Sequence, residues 1–147
     1  MNVSLRVNGR AVDVDVEPHD MLVDVLRDQL GLTGPRVTCG VGLCGTCTVL
    51  LDGQPVSGCL LMTPLAAGHE ITTVEGLPDD DTVVAAFDRN HAFQCGYCIP
   101  GMVMTARAMV DSGQASTTEE IREGLGGNLC RCGCYLKIID AIEEASQ

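Results

Sequence analysis

Tryptophan is absent, and only two phenylalanines and two tyrosines occur among 147 residues. That scarcity argues against a surface on which nucleobases stack, and it leaves the core to aliphatic side chains. Basic residues are few as well. Nine Lys and Arg against 20 Asp and Glu give a net charge of -11, which repels a phosphate backbone instead of neutralising it. No nucleic-acid partner is expected. No apolar run approaches the roughly 20 residues of a spanning helix, so membrane insertion is not expected either. The opening residues Met1 to Gly9 alternate like a strand and lack the basic start, apolar stretch and cleavage site of an export signal, which points to the cytoplasm. What the chain does have is nine cysteines and 17 glycines. In a reducing compartment such cysteines read as metal ligands or catalytic thiols before disulfides.

Val3 to Val7 and Ala11 to Val16 alternate with period two around Asn8-Gly9, a strong hairpin signal. After Pro18, Met21, Leu22, Val25, Leu26 and Leu30 recur at helical spacing, Asp20, Asp24 and Asp28 fall on the opposite face, and Gly31 supplies a stop. A Gly- and Cys-rich loop follows. Thr46 to Leu51, a short piece near Val56 and Ile71 to Val74 read as strands, with Asp52-Gly53 as a turn. The turn-rich segment Gly76 to Asp81 marks a boundary, giving domains 1–76 and 77–147. Beyond it the pattern is helical, at about Thr82 to Arg89, Pro100 to Ser112, Thr117 to Leu125 and Tyr135 to Ala145. Thr117-Thr118-Glu119-Glu120 forms a capping box. The fold class is α+β, a mixed half followed by an all-helical half.

Cys39, Cys44 and Cys47 show the C-x4-C-x2-C spacing of plant-type 2Fe-2S ferredoxins, with Cys59 twelve residues on. Four thiolates that grip a diiron core must come from a loop turning inward. Gly40, Gly42 and Gly45 permit φ > 0 there and bring peptide N–H groups to the sulfurs. Gly40 to Gly45 also satisfies G-x-G-x-x-G, but that fingerprint closes a strand and opens a helix, whereas here a strand follows.

Cys95-Gly96-Tyr97-Cys98 and Cys130-Arg131-Cys132 form the second set, each pair just ahead of a helix. Two helix N-termini then face one site, where their partial positive charge suits an anionic cluster. Four cysteines can also hold a structural zinc. Zinc accounts well for C-x2-C and less well for C-x4-C-x2-C and the tight C-x-C.

The run from Cys39 to Cys59, then Gln94-Cys95-Gly96-Tyr97-Cys98-Ile99-Pro100-Gly101-Met102 and Gly127-Asn128-Leu129-Cys130-Arg131-Cys132, resembles the small iron-sulfur subunit of the xanthine dehydrogenase and aldehyde oxidase family of molybdenum hydroxylases. The likeness covers nearly the whole chain. It implies an N-terminal β-grasp, plant-type ferredoxin-like domain followed by a C-terminal four-helix 2Fe-2S-binding domain. By this resemblance Cys95, Cys98, Cys130 and Cys132 hold the cluster that first receives electrons, and Cys39, Cys44, Cys47 and Cys59 hold the one that passes them on. It further implies a large subunit with molybdopterin, in a dinucleotide form, and a medium subunit with FAD, in a hetero-oligomer. Gln94 and Cys132 match positions near the pterin. Without the resemblance, Gln94 reads as a solvated loop amide.

The chain departs from the family where C-R-C-T-G-Y becomes Cys130-Arg131-Cys132-Gly133-Cys134-Tyr135, and where an acidic residue becomes Gly40. Cys134 is either an alternative ligand or a small residue starting the last helix. If its position requires φ > 0, it carries strain. His19, His69 and His91 are scattered, and Asp79-Asp80-Asp81 and Glu143-Glu144 read as solvated charge. No nucleophile and base pair is visible, so the chain is expected to have no substrate-transforming site of its own. The rival readings are a free-standing ferredoxin-type carrier and a zinc-stabilised interaction module.

Overall fold

Asn8 and Gly9 both adopt positive φ, 51° and 75°, the conformation of a type I′ turn. They join β1 (Asn2–Val7) to β2 (Arg10–Asp15), with Val7 opposite Arg10. Val3, Leu5 and Val7 point inward, as period two requires. Residues 1–147 are all described by the structure, a computed structural model.

Helix α1 (Leu22–Asp28) buries Leu22, Val23, Val25 and Leu26. It ends two residues before Leu30, which packs on the core from the loop beyond. Strands β3 (Thr48–Leu51) and β4 (Gln54–Ser57) form a second hairpin about Asp52 and Gly53, and β5 (Glu70–Thr72) completes the sheet. The strand order is β2-β1-β5-β3-β4, with β1 and β5 parallel and the other pairs antiparallel. This is the β-grasp arrangement. Its core unites Val3, Leu5, Val14, Leu22, Leu26 and Ile71. Single 3-10 turns at Thr63–Ala66 and Val74–Gly76 have no periodic pattern in the sequence, and the second of them ends the last strand before Val74.

Four helices follow: α2 (Thr82–Arg89), α3 (Ile99–Ser112), α4 (Thr118–Gly124) and α5 (Tyr135–Ala145). The capping box is present, Thr117 accepting from Glu120 N and Glu120 reaching back to Thr117 N. A core of Val83, Met102, Ile121, Ile138 and Ile142, with Phe87 as its one buried aromatic, holds the helices together. One expectation fails here. Asp81 is not solvated charge: it is 6% exposed, caps α2 by accepting from Val83 N and Val84 N, and pairs with Arg107. Glu144 stays exposed, as expected of solvated charge, and receives hydrogen bonds from Arg89 and Asn90.

The two halves meet through α3 and β3, where Leu50, Met104 and Ala108 are buried together. That seam decides how the two cysteine sets face one another.

Candidate metal centres

The loop between Arg36 and Cys47 turns inward at Gly40, Gly42 and Gly45, with φ of 65°, 72° and 72°. These turns aim backbone at sulfur. Val41 N and Leu43 N donate to Cys39 Sγ at 3.5 and 3.3 Å. The N–H groups of Val41, Cys44 and Leu43 pull the Cys39 thiol down to about 6, because they favour the charged form. Cys44 Sγ lies 3.3 Å from Thr46 Oγ1. Cys47 and Cys59 are buried with Val23, and burial, with Cys59 alongside, pushes Cys47 up to about 11. The first set is thus arranged as two neighbouring pairs, Cys39 with Cys44 and Cys47 with Cys59. The loop leads into β3 and opens no helix, so the G-x-G-x-x-G run does not have the geometry of a dinucleotide site.

The second set comes from two loops far apart in sequence. Cys98 stands at the N-cap position of α3, and Cys134 at that of α5. Cys95 neighbours Cys132, and Cys130 neighbours both Cys98 and Cys134. Tyr97 N–H and the neighbouring Cys132 lower Cys95, and Cys132 is raised. Burial pushes Cys98 up to about 12. Burial also opposes ionisation of Cys130, but the N–H of Cys134 and the Cys98 thiol hold it below its ordinary value. A cleft of about 440 Å³ is lined by Cys95, Cys98 and Cys130 on one side and by Cys44 and Thr46 on the other.

The donor set fits 2Fe-2S clusters. Four thiolates serve such a cluster, and each set gathers its cysteines as mutual neighbours. Backbone N–H groups directed at sulfur stabilise the added charge of reduction.

Gln94 is exposed and shares a surface pocket with Phe93, Cys132, Cys134 and Lys137. Cys134 carries no backbone strain. Its φ is -75°, and Gly133 takes the positive φ of 78° instead, so the left-handed residue sits one position earlier. The long-range partners of several supporting residues are not legible in the sequence. Arg36 donates to Gly96 O and Tyr97 O, Cys130 N donates to Tyr135 Oη at 2.7 Å, and Asn128 is buried against Gly45 and Thr105. A single chain gives no local pattern for such long-range partners.

A β-grasp half and a four-helix half, each with a set of four cysteines, define a two-cluster ferredoxin-like protein. The 2Fe-2S iron-sulfur cluster binding domain family matches residues 5–72, and the [2Fe-2S] binding domain family matches residues 73–143. The nicotinate dehydrogenase small FeS subunit of Eubacterium barkeri is 40% identical over 148 residues, covering 99% of this chain and 94% of that one. An aldehyde oxidoreductase iron-sulfur-binding subunit of Escherichia coli is 38% identical, covering 99% and 72%. The crystal structure of quinoline 2-oxidoreductase from Pseudomonas putida 86 superposes with a TM-score of 0.94 at 43% identity, covering 99% of this chain and 92% of the matched one. The chain belongs to the small iron-sulfur subunits of the xanthine dehydrogenase and aldehyde oxidase family of molybdenum hydroxylases. It is the iron-sulfur component of an oxidoreductase. No helix is long and apolar enough to cross a membrane.

Proposed function

We propose that this chain carries electrons singly between two partner subunits of a cytoplasmic hydroxylase complex. Cys95, Cys98, Cys130 and Cys132 would hold the 2Fe-2S cluster nearer a large molybdopterin-bearing subunit. Cys39, Cys44, Cys47 and Cys59 would hold the one nearer a medium FAD-bearing subunit. The clusters, when bound, supply one-electron redox stations for a two-electron oxidation performed elsewhere. Domains 1–76 and 77–147 would each contribute one set.

The single observation that carries this reading is the gathering of eight thiols into two sets, one in each half of the fold and each with members at the surface. Cys95 and Cys132 are exposed, and Cys39 is partly so. Exposed apolar side chains lie along the chain beside them: Val41, Leu43 and Leu60 near the first set, Phe93, Leu129 and Leu136 near the second. Such patches suit coverage by partner subunits. Gln94, which shares a pocket with Cys132, would then offer its amide to a pterin on the large subunit. The chain's own work is to hold thiolates, direct N–H groups at them and keep Cys47 and Cys59 dry.

Purification of the tagged full chain from its native host is the direct test. The reading expects a coloured complex with two co-purifying partners, one carrying molybdopterin and the other FAD. A colourless, zinc-loaded product, or a coloured chain with neither partner, contradicts it.

A further inference from the structure

The Asn128 side chain is buried, with only 5% of the residue exposed, one residue before Leu129-Cys130. Its Nδ2 donates to Gly45 O at 3.2 Å, and its Oδ1 accepts from Thr105 Oγ1 at 2.9 Å. The next residue, Leu129, donates its N–H to Cys44 O at 2.9 Å. One amide therefore ties together three elements: the loop of the first cysteine set, helix α3 that begins beside Cys98, and the segment that delivers Cys130.

The seam around it has no slack. A Cβ on Gly101 would stand 2.2 Å from Gly45 O, and a Cβ on Gly45 would stand 2.4 Å from Gly127 O and 2.5 Å from Asn128 Nδ2. Gly45 O is also held from its other side, by Thr48 Oγ1 at 2.7 Å and Thr48 N at 3.2 Å. The chemistry asks for an amide here. One arm must donate to a carbonyl while the other accepts from a hydroxyl, and among side chains of this length only asparagine does both. An aspartate would lose the donor and bury a charge.

We propose that Asn128 is a positioning residue that sets the separation of the two centres, and so the rate at which they exchange an electron. The inference rests on the two-cluster reading above. Electron exchange falls off exponentially with separation and magnetic dipolar coupling falls off with its cube, so a relay needs its stations held as tightly as other functional constellations. Leu129 to Cys44 is the backbone contact that the amide braces.

The test uses the full chain in its complex, fully reduced, and reads low-temperature electron paramagnetic resonance together with amide exchange at Leu129. Asn128→Ala is expected to keep both cluster signals and the iron content, with a smaller intercluster splitting and faster exchange of the Leu129 N–H. Thr105→Val, which keeps side-chain shape and removes only the hydroxyl, should shift the splitting in the same direction, while Thr105→Ser restores it. Thr105→Val also carries the test alone if Asn128→Ala does not assemble. An unchanged splitting in variants that retain both clusters overturns the positioning role. Fewer than two cluster signals in the unaltered protein overturns instead the two-cluster reading on which it rests.

Discussion

Arg36 lies over the ring of Tyr97, 4.9 Å from its centroid, and donates to the carbonyl of the same tyrosine at 2.7 Å. Arg36 belongs to the β-grasp half, and Tyr97 lies between Cys95 and Cys98, so the pair clamps the second cysteine loop onto the first domain. Tyr97 returns the grip by donating its hydroxyl to Val37 O at 3.3 Å.

Removing that clamp should loosen the loop. Arg36→Ala loses two charge-assisted hydrogen bonds and the ring contact, about 1 to 2 kcal/mol at a half-exposed site. The expected outcome is faster loss of iron from the second centre to a chelator, with the first centre unaffected. Arg36→Lys should fall between, because a lysine cannot present a planar fork to two carbonyls. Chelator kinetics followed by absorbance check both.

Asp81 should matter to stability far more than its neighbours Asp79 and Asp80. It caps α2 and meets Arg107 with 4% and 16% of the two side chains exposed. Asp81→Ala removes a cap and leaves a mostly buried guanidinium short of its partner, a loss of about 2 to 4 kcal/mol. Asp81→Asn keeps an acceptor for the cap and should cost less. Denaturant unfolding of the holoprotein measures both.

Much of the fold is legible in the sequence, and the remainder is hidden for physical reasons. The Asn8-Gly9 hairpin and the Thr117 capping box are local, so a few residues specify them. Helices α2 and α5 carry strong apolar periodicity, and their bounds follow from it. Asp81 reads wrongly as solvated charge because a cap inside an Asp-Asp-Asp run has that composition, and its partner Arg107 lies 26 residues away. Leu30 keeps the helical period but falls beyond the end of α1. The spacing of the eight cysteines suggests two sets, whereas the adjacency of Cys95 to Cys132 and of Cys130 to Cys98 and Cys134 needs the fold. Asn128 and Gly101 give no signal of their seam at all, since their importance there lies wholly in what the other half of the chain presents to them.

Cys134 should be dispensable for iron binding. Its N–H helps to hold Cys130, and alanine keeps that N–H; its backbone, at φ -75°, suits any residue. Cys134→Ala is therefore expected to retain both cluster signals, while Cys132→Ala loses or severely alters the second. Survival of the second signal in Cys132→Ala together with its loss in Cys134→Ala would reverse the ligand assignment.

The holoprotein should contain about four irons and four acid-labile sulfides per chain, two of each in every cluster. Half that content in fully loaded, native complex contradicts two clusters. Partial reduction should also resolve two paramagnetic signals, because one set sits in a glycine-rich loop and the other beside two helix N-termini, and hydrogen bonding and burial set the potential.

The relay itself is tested most directly by rapid mixing of substrate with the intact complex in a variant lacking one ligand of the second cluster, Cys98→Ala. Substrate should still reduce the molybdenum site, and the flavin should remain oxidised on the timescale at which the unaltered complex reduces it. If the flavin were reduced at an unchanged rate in a variant shown to lack that cluster, this chain would not be the path its electrons take.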